Sequence, residues 1–195
     1  RYERIKAHEG WSSFPKGLSV IIPVFNEEKT IKEIIKRVDK TGLASEIVIV
    51  DDCSTDNTQI VIQEIVSGRN DIVFDKHEKN QGKGAAVRTA FAAANGDMLL
   101  VQDADLEYDP KDYPDLLEPM LEGKADVVYG SRFLGGPHRV LFFWHYVVNR
   151  FLTFLSNLLT NLNLTDMEVG YKLFTQEALA AVSYTHLRAH ETVVH

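Results

Sequence analysis

A chain of 195 residues that is 45% hydrophobic is the size of one domain and carries enough apolar mass for one sizeable core. Its formal charge of −7 excludes a protein that coats nucleic acid, because such a protein needs a basic surface to displace counterions from phosphate. The single cysteine, Cys53, excludes an internal disulfide, and with no basic-apolar-small leader opening the chain a reducing, cytoplasmic setting is expected.

In chain order, the run LSVIIPVF at 18–25 is apolar and β-branched and closes on Asn26-Glu27-Glu28. From Thr30 the apolar residues Ile31, Ile34, Ile35 and Val38 fall at helical spacing, which predicts strand, loop, helix. The unit repeats. EIVIVDD at 46–52 precedes a helix capped near Ser54 or Asp56, DIVFDKH at 71–77 precedes a helix over 85–94, and DMLLVQDAD at 97–105 precedes one over 110–122. A fifth strand is expected in ADVVYGS at 125–131. Continuously apolar strands alternating with helices call for an α/β fold: a mostly parallel central sheet, helices on both faces, right-handed crossovers. Ligands in such sheets bind beyond the carboxyl ends of the strands, where Asp51-Asp52 and Asp103-Ala104-Asp105 both fall.

Residues 140–164 are long and apolar, yet Asn149, Thr153, Ser156, Thr160 and Asn163 mark a polar stripe opposite Phe151, Leu155, Leu158, Leu159 and Leu162. The pattern is an amphipathic helix that either packs its apolar face on the core or lies in a membrane interface. The last stretch, SYTHLRAHETVVH at 183–195, has no core periodicity and reads as a translated adaptor tail, so His186, His190 and His195 are not expected to form a metal site.

The strongest chemical signal is Asp103-Ala104-Asp105, followed by Leu106 and Glu107. Alternate carboxylates in a short loop after a strand suit hard cations, Mg²⁺ or Mn²⁺, which would share a diphosphate; the competing reading is a solvated acidic turn. Asp52 can accept from a base N–H or a ribose hydroxyl, whereas Ser54 and Asp56 are explained by helix capping and Cys53 by a tight turn. Asn80-Gln81-Gly82-Lys83-Gly84 lets backbone and Lys83 meet phosphate but fits neither the dinucleotide fingerprint nor the Walker pattern. Arg132 can fork onto a diphosphate or form a surface ion pair, and Arg150 is a weaker phosphate candidate. Asp166 and Glu168 are each a general base or a helix-end carboxylate.

Together VIIPVFNEE, VDDCSTD, NQGKGAA, QDADLEYDP, YGSRF and TDMEVGYKLF closely resemble the family 2 inverting glycosyltransferases, in their dolichol-phosphate mannose synthase and polyprenyl-phosphate branch. The resemblance spans 17–182 and implies a GT-A (Rossmann-like) fold, a GDP- or UDP-sugar donor such as GDP-mannose or UDP-glucose, and Mg²⁺ or Mn²⁺. It also implies roles. Pro23, Asn26 and Glu27 would border the nucleotide, Asp52 would bind base or ribose, and Asp103, Asp105 and Glu107 would surround the metal. Arg132 and Lys83 would meet the donor phosphates. The chain departs from the mannose synthases at Met167-Glu168-Val169-Gly170-Tyr171-Lys172, where they tend to carry a Thr-Ser-Gly-Phe-Arg-like stretch.

The expected organisation is an N-terminal extension over 1–16, a C-terminally truncated GT-A domain over 17–182 and a foreign tail over 183–195. The expected reaction is metal-dependent transfer of a mannose or glucose to a polyprenyl or dolichyl phosphate, with peripheral contact at the cytoplasmic face of a membrane and no nucleic-acid partner. Transfer to a sugar hydroxyl in polysaccharide or glycan synthesis, and nucleotide binding without turnover, are the alternatives.

Overall fold

The computed structural model describes residues 1–130, 143–160 and 170–181. The chain opens with α1 (Tyr2–Lys6) and a 3₁₀ turn over Glu9–Ser13. The expected strand–helix units follow: β1 (Leu18–Val24), α2 (Ile31–Thr41), β2 (Ala44–Asp51), α3 (Thr58–Val66), β3 (Ile72–Lys76), α4 (Lys83–Ala93), β4 (Met98–Val101) and α5 (Tyr113–Leu121). β5 (Val127–Tyr129), α6 (Phe143–Thr160) and β6 (Lys172–Thr175) complete the numbered elements.

Every residue of β1 is buried, as a strand with helices on both faces must be. Successive side chains alternate between two apolar layers. Val20, Ile22, Ile47 and Ile49 join Ile31, Ile34 and Val38 of α2 in the larger core, while Ile21, Val48, Val50 and Leu99 meet Ala86 and Ala90 of α4 on the other face. Alanines there let α4 approach the sheet closely.

The sheet order is β3-β2-β1-β4-β6-β5. β1 pairs in parallel with β2 and β4, and β2 with β3; β6 runs antiparallel between β4 and β5. The sequence reading expected five strands and missed β6. Its four residues, Lys172-Leu173-Phe174-Thr175, carry no continuous apolar run, and only Leu173 and Thr175 are buried. Pairing with β4 and β5, not local propensity, makes them a strand.

Residues 1–16, expected as an extension, contribute to the core. Ile5 is 1% exposed, Tyr2, Trp11 and Phe14 pack against the same cluster, and Arg1 and Arg4 pair with Asp115 and Glu118 on α5.

α6 is a helix as expected, and several of its described apolar side chains face outward. Phe151, Phe154, Leu158 and Leu159 are exposed, the last at 83%, whereas Thr153 of the expected polar stripe is 4% exposed. Among the described residues no helix is long and apolar enough to cross a membrane. Arg132, Asp166, Glu168 and the 183–195 tail lie outside the described residues.

Candidate active site

Strand order reverses at β1: β2 and β3 extend the sheet to one side, β4 to the other. At that switch point the loops after β1 and β4 diverge and leave a crevice at the strands' carboxyl ends. Pro23 sits where the two strands part. The Ile21 carbonyl accepts from the Gln102 amide at 2.8 Å, so residue 23, two further along β1, faces the same neighbour just as the β4 ladder ends at Val101. A proline there forfeits no ladder bond, which is why a central strand tolerates it. The resulting cleft holds about 370 Å³ and is lined by Pro23 near the end of β1, Phe25 and Glu27 from the loop after β1, Asp52 from the loop after β2, Asn80, Gly82 and Lys83 before and at the start of α4, and Asp103 and Asp105 after β4.

Four loops form this rim, and those after β1, β2 and β4 each contain one non-glycine residue with positive φ: Asn26 at 58°, Cys53 at 64° and Leu106 at 64°. Such conformations persist only where surrounding bonds over-determine them. The first two loops supply those bonds to each other. The Asn26 side chain accepts from the Thr55 amide at 2.8 Å, the Asn26 amide donates to Ser54 Oγ at 2.9 Å, and the Glu27 amide donates to Thr58 Oγ1 at 2.8 Å. Asp56 accepts from the Thr58 amide at 3.0 Å at the start of α3, as a capping residue does, and Ser54 instead bonds Asp51 and Asn26.

Asp52 lies beneath the cleft and is buried. It accepts from the Gln81 amide at 3.0 Å, the Gly82 amide at 2.7 Å and His77 Nδ1 at 2.7 Å. Burial opposes ionisation, but the Gln81 amide, the His77 bond and the Gly82 amide outweigh it and hold the carboxyl below its ordinary value. Gly82 has φ of 86°, a region open to glycine, and caps α4 so that Lys83 is the helix's first residue. Lys83 Nζ reaches across to Asp103 Oδ1 at 2.5 Å.

Asp103 and Asp105 offer the cleft hard carboxylate oxygens, the donors that Mg²⁺ and Mn²⁺ take. Glu107 is exposed, does not line the cleft, and donates its amide to Asp105 Oδ1 at 2.9 Å. Among the described residues no three His, Cys, Asp or Glu side chains gather as a cage. Two carboxylates still fit an octahedral ion that completes its shell with substrate phosphate and water.

Of the residues nominated from sequence, the fold thus brings Pro23, Glu27, Asp52, Lys83, Asp103 and Asp105 to one cleft. Asn26 braces the neighbouring loop, and Arg150 is exposed on α6 and does not line the cleft. Phe25 and Asn80 were missed. Phe25 ends the apolar run 18–25, and it is 46% exposed on the cleft, where an aromatic face can meet a base.

Residues 19–182 match the family model described as Glycosyl transferase family 2. A dolichol-phosphate mannosyltransferase of Pyrococcus furiosus is 39% identical over 121 residues, 61% of this chain and 34% of that protein. A UDP-N-acetylglucosamine–dolichyl-phosphate N-acetylglucosaminyltransferase of Methanococcus voltae is 29% identical over 184 residues, 86% of this chain and 73% of that protein. Among solved structures, a glucosyl-3-phosphoglycerate synthase from Mycobacterium tuberculosis, in complex with Mn²⁺, uridine diphosphate and phosphoglyceric acid, shares the fold at a TM-score of 0.69 and 24% identity. That likeness covers 91% of this chain and 60% of the synthase, so the chain spans only part of the synthase, as it spans about a third of the mannosyltransferase.

Proposed function

We propose a specific reaction for this chain, which belongs to glycosyl transferase family 2 and has a glycosyltransferase domain of the GT-A fold: transfer of a hexose from a GDP- or UDP-sugar to a polyprenyl or dolichyl phosphate. The observation that carries it is the meeting of Asp103, Asp105 and Lys83 in one cleft at the β1/β4 switch point. Two carboxylates for a divalent cation and one ammonium for phosphate are what a departing nucleoside diphosphate requires.

Asp103 and Asp105 would hold Mg²⁺ or Mn²⁺, whose chemistry is to neutralise charge developing on the leaving diphosphate. Lys83 would release Asp103 and turn to the donor phosphates. Phe25 and Glu27 would border the nucleotide, with Asp52 beneath holding the Gln81–Gly82 backbone against it. Arg132, Asp166 and Glu168 remain the candidates for the donor phosphates and the acceptor side. In-line displacement from an α-linked donor would give a β-linked product.

Two further points support a lipid phosphate as acceptor. Both relatives carry dolichol or dolichyl phosphate in their names, one as a mannosyl and one as an N-acetylglucosaminyl transferase. And α6 presents Phe151, Phe154, Leu158 and Leu159 to solvent, an apolar face suited to peripheral contact with the membrane that carries such an acceptor. A phosphate monoester, with its second pKa near ~6, is largely dianionic at neutral pH and attacks without surrendering a proton.

The test is turnover by the full-length protein with GDP-mannose, UDP-glucose and UDP-N-acetylglucosamine, each offered polyprenyl phosphate and a sugar hydroxyl, the anomeric configuration being read by NMR. A β-linked lipid product is expected. In that assay Glu168→Gln should slow lipid transfer only modestly, whereas a hydroxyl acceptor would need a base contributing on the order of 10²–10⁴-fold. Robust transfer to a hydroxyl that collapses in the variant, with none to polyprenyl phosphate, overturns the proposal.

A further inference from the structure

The residue immediately before the acidic loop is a carboxamide in the interior. Gln102 is 0% exposed and follows the aliphatic β4 residues Met98–Val101, where another apolar side chain would suit the core. A buried amide is costly unless every lone pair and proton is used. All are used here. Nε2 donates to the Asp103 carbonyl at 2.9 Å and the Tyr108 carbonyl at 3.2 Å, while Oε1 accepts from the hydroxyls of Tyr113 at 2.8 Å and Tyr171 at 3.1 Å. Four bonds are the capacity of the group. Burial pushes both phenols well above their ordinary pKa, so both stay protonated as donors.

The two carbonyls bracket the loop 103–108 that carries Asp103 and Asp105. The two hydroxyls come from other places in the fold: Tyr113 opens α5, and Tyr171 precedes β6. Tyr171 also lies against Tyr108 with ring centroids 4.8 Å apart, and the Gly170 amide donates to the Tyr108 hydroxyl at 2.8 Å. The approach is close enough to require glycine. A Cβ on Gly170 would stand 2.7 Å from Asp103 Oδ2 and 2.5 Å from Tyr108 Cε2. The backbone leading into β6 is therefore seated directly on the acidic loop.

Building on the reading of Asp103 and Asp105 as the metal-holding pair, we infer that Gln102 is a positioning residue: it sets the acidic loop through both of its ends and, through Tyr171, registers that loop against the segment entering β6. Replacing such a network by apolar groups of similar shape can leave stability nearly unchanged, so the function of the amide is the geometry of the loop. The donor side of the cleft and the chain following Asp166 and Glu168 are thereby held in one register.

Gln102→Met, of similar length and without hydrogen bonds, is the test, read first without ligand by amide hydrogen exchange. Exchange at Glu107 and Gly170, whose amides donate to Asp105 Oδ1 and the Tyr108 hydroxyl, should rise by roughly tenfold or more beyond any change at the amides of β1 and β2, which report global opening. Mn²⁺-dependent binding of GDP or UDP, followed by calorimetry, should weaken by roughly tenfold, the worth of about one such buried bond. Tyr171→Phe keeps the ring and deletes one hydroxyl; if Gln102→Met does not fold, this variant carries the test, with a rise of about threefold at the same two amides. Unchanged exchange at those two amides, or a rise there no larger than in β1 and β2, overturns the inference. Because exchange is read without ligand, a parent chain that binds no nucleoside diphosphate with Mn²⁺ would sink the proposed reaction while leaving the positioning test to be decided on its own.

Discussion

His77 Nδ1 lies 2.7 Å from a carboxylate oxygen of Asp52, with both side chains buried. A carboxylate only accepts, so Nδ1 carries the proton, and in the neutral ring Nε2 then accepts from Thr89 Oγ1 at 2.8 Å. With the Gln81 and Gly82 amides on the same carboxylate, this chain of bonds joins the end of β2 to the start of α4 and so places Lys83 over the cleft. Asp52→Asn cannot serve all three donors. It should cost about 2 kcal/mol, the scale of a charge-assisted buried bond, and weaken nucleoside diphosphate binding. Urea denaturation with calorimetry checks both; parent-like stability would show that the carboxylate is not needed there.

The same residue sets a pH dependence. Its folded carboxyl titrates below the ordinary 3.8, because burial, which alone would raise it, is outweighed by the amides and the imidazole. A depressed folded pKa means that the unfolded chain binds the proton first as pH falls, so the stabilisation is complete above 3.8 and is lost as pH drops through the folded value. Asp56 and Asp71 are lowered in the same direction, the first by Thr58 and the Glu28 amide against burial, the second chiefly by Arg69. Melting temperature measured from neutral pH downward should therefore fall below about pH 4, and the gap between parent and Asp52→Asn should narrow over that same interval.

Asp105 is exposed at the cleft mouth, where its removal leaves the core intact. Asp105→Ala should melt within about 0.5 kcal/mol of the parent, as surface changes do, yet lose Mn²⁺-dependent binding of nucleoside diphosphate. Calorimetry with and without Mn²⁺ decides. Binding as tight as the parent's, with the same metal dependence, would remove this loop from the metal site.

Lys83 and a divalent cation would compete for Asp103 Oδ1, which the ammonium reaches at 2.5 Å. Lys83→Met should therefore have effects of opposite sign: Mn²⁺ alone binds a few-fold tighter, while nucleoside diphosphate binds weaker for want of a phosphate partner. Loss of both, or of neither, would contradict the competition.

Ile5 is 1% exposed beneath α5, so Ile5→Ala should cost about 3 kcal/mol through lost burial and the cavity left behind. Removing 183–195 should cost little, since a polar stretch without apolar periodicity has little to bury. Thermal denaturation of the two variants side by side tests whether residues 1–16 belong to the folding unit and the tail does not.

Much of this molecule was legible in its sequence because the signals are local. Continuous apolar runs placed β1, β2, β3 and β4, helical spacing placed α2, and the carboxylates at 52, 103 and 105 sat at strand ends, where a parallel sheet gathers its ligands. Other features depended on partners distant in the chain, which no periodicity announces. β6 is a strand because β4 and β5 pair with it; His77 and Gln102 carried no signal of their own inside the runs 71–77 and 97–105, and the fold sets Asp52, Tyr113 and Tyr171 against them. α6 was legible as an amphipathic helix, but which face the body covers was not, since amphipathicity states only that two faces differ. Residue type and spacing thus determined the elements and the chemistry at their ends, while the long-range packing that satisfies buried polar groups decided which of those residues share the cleft and which hold its walls in place.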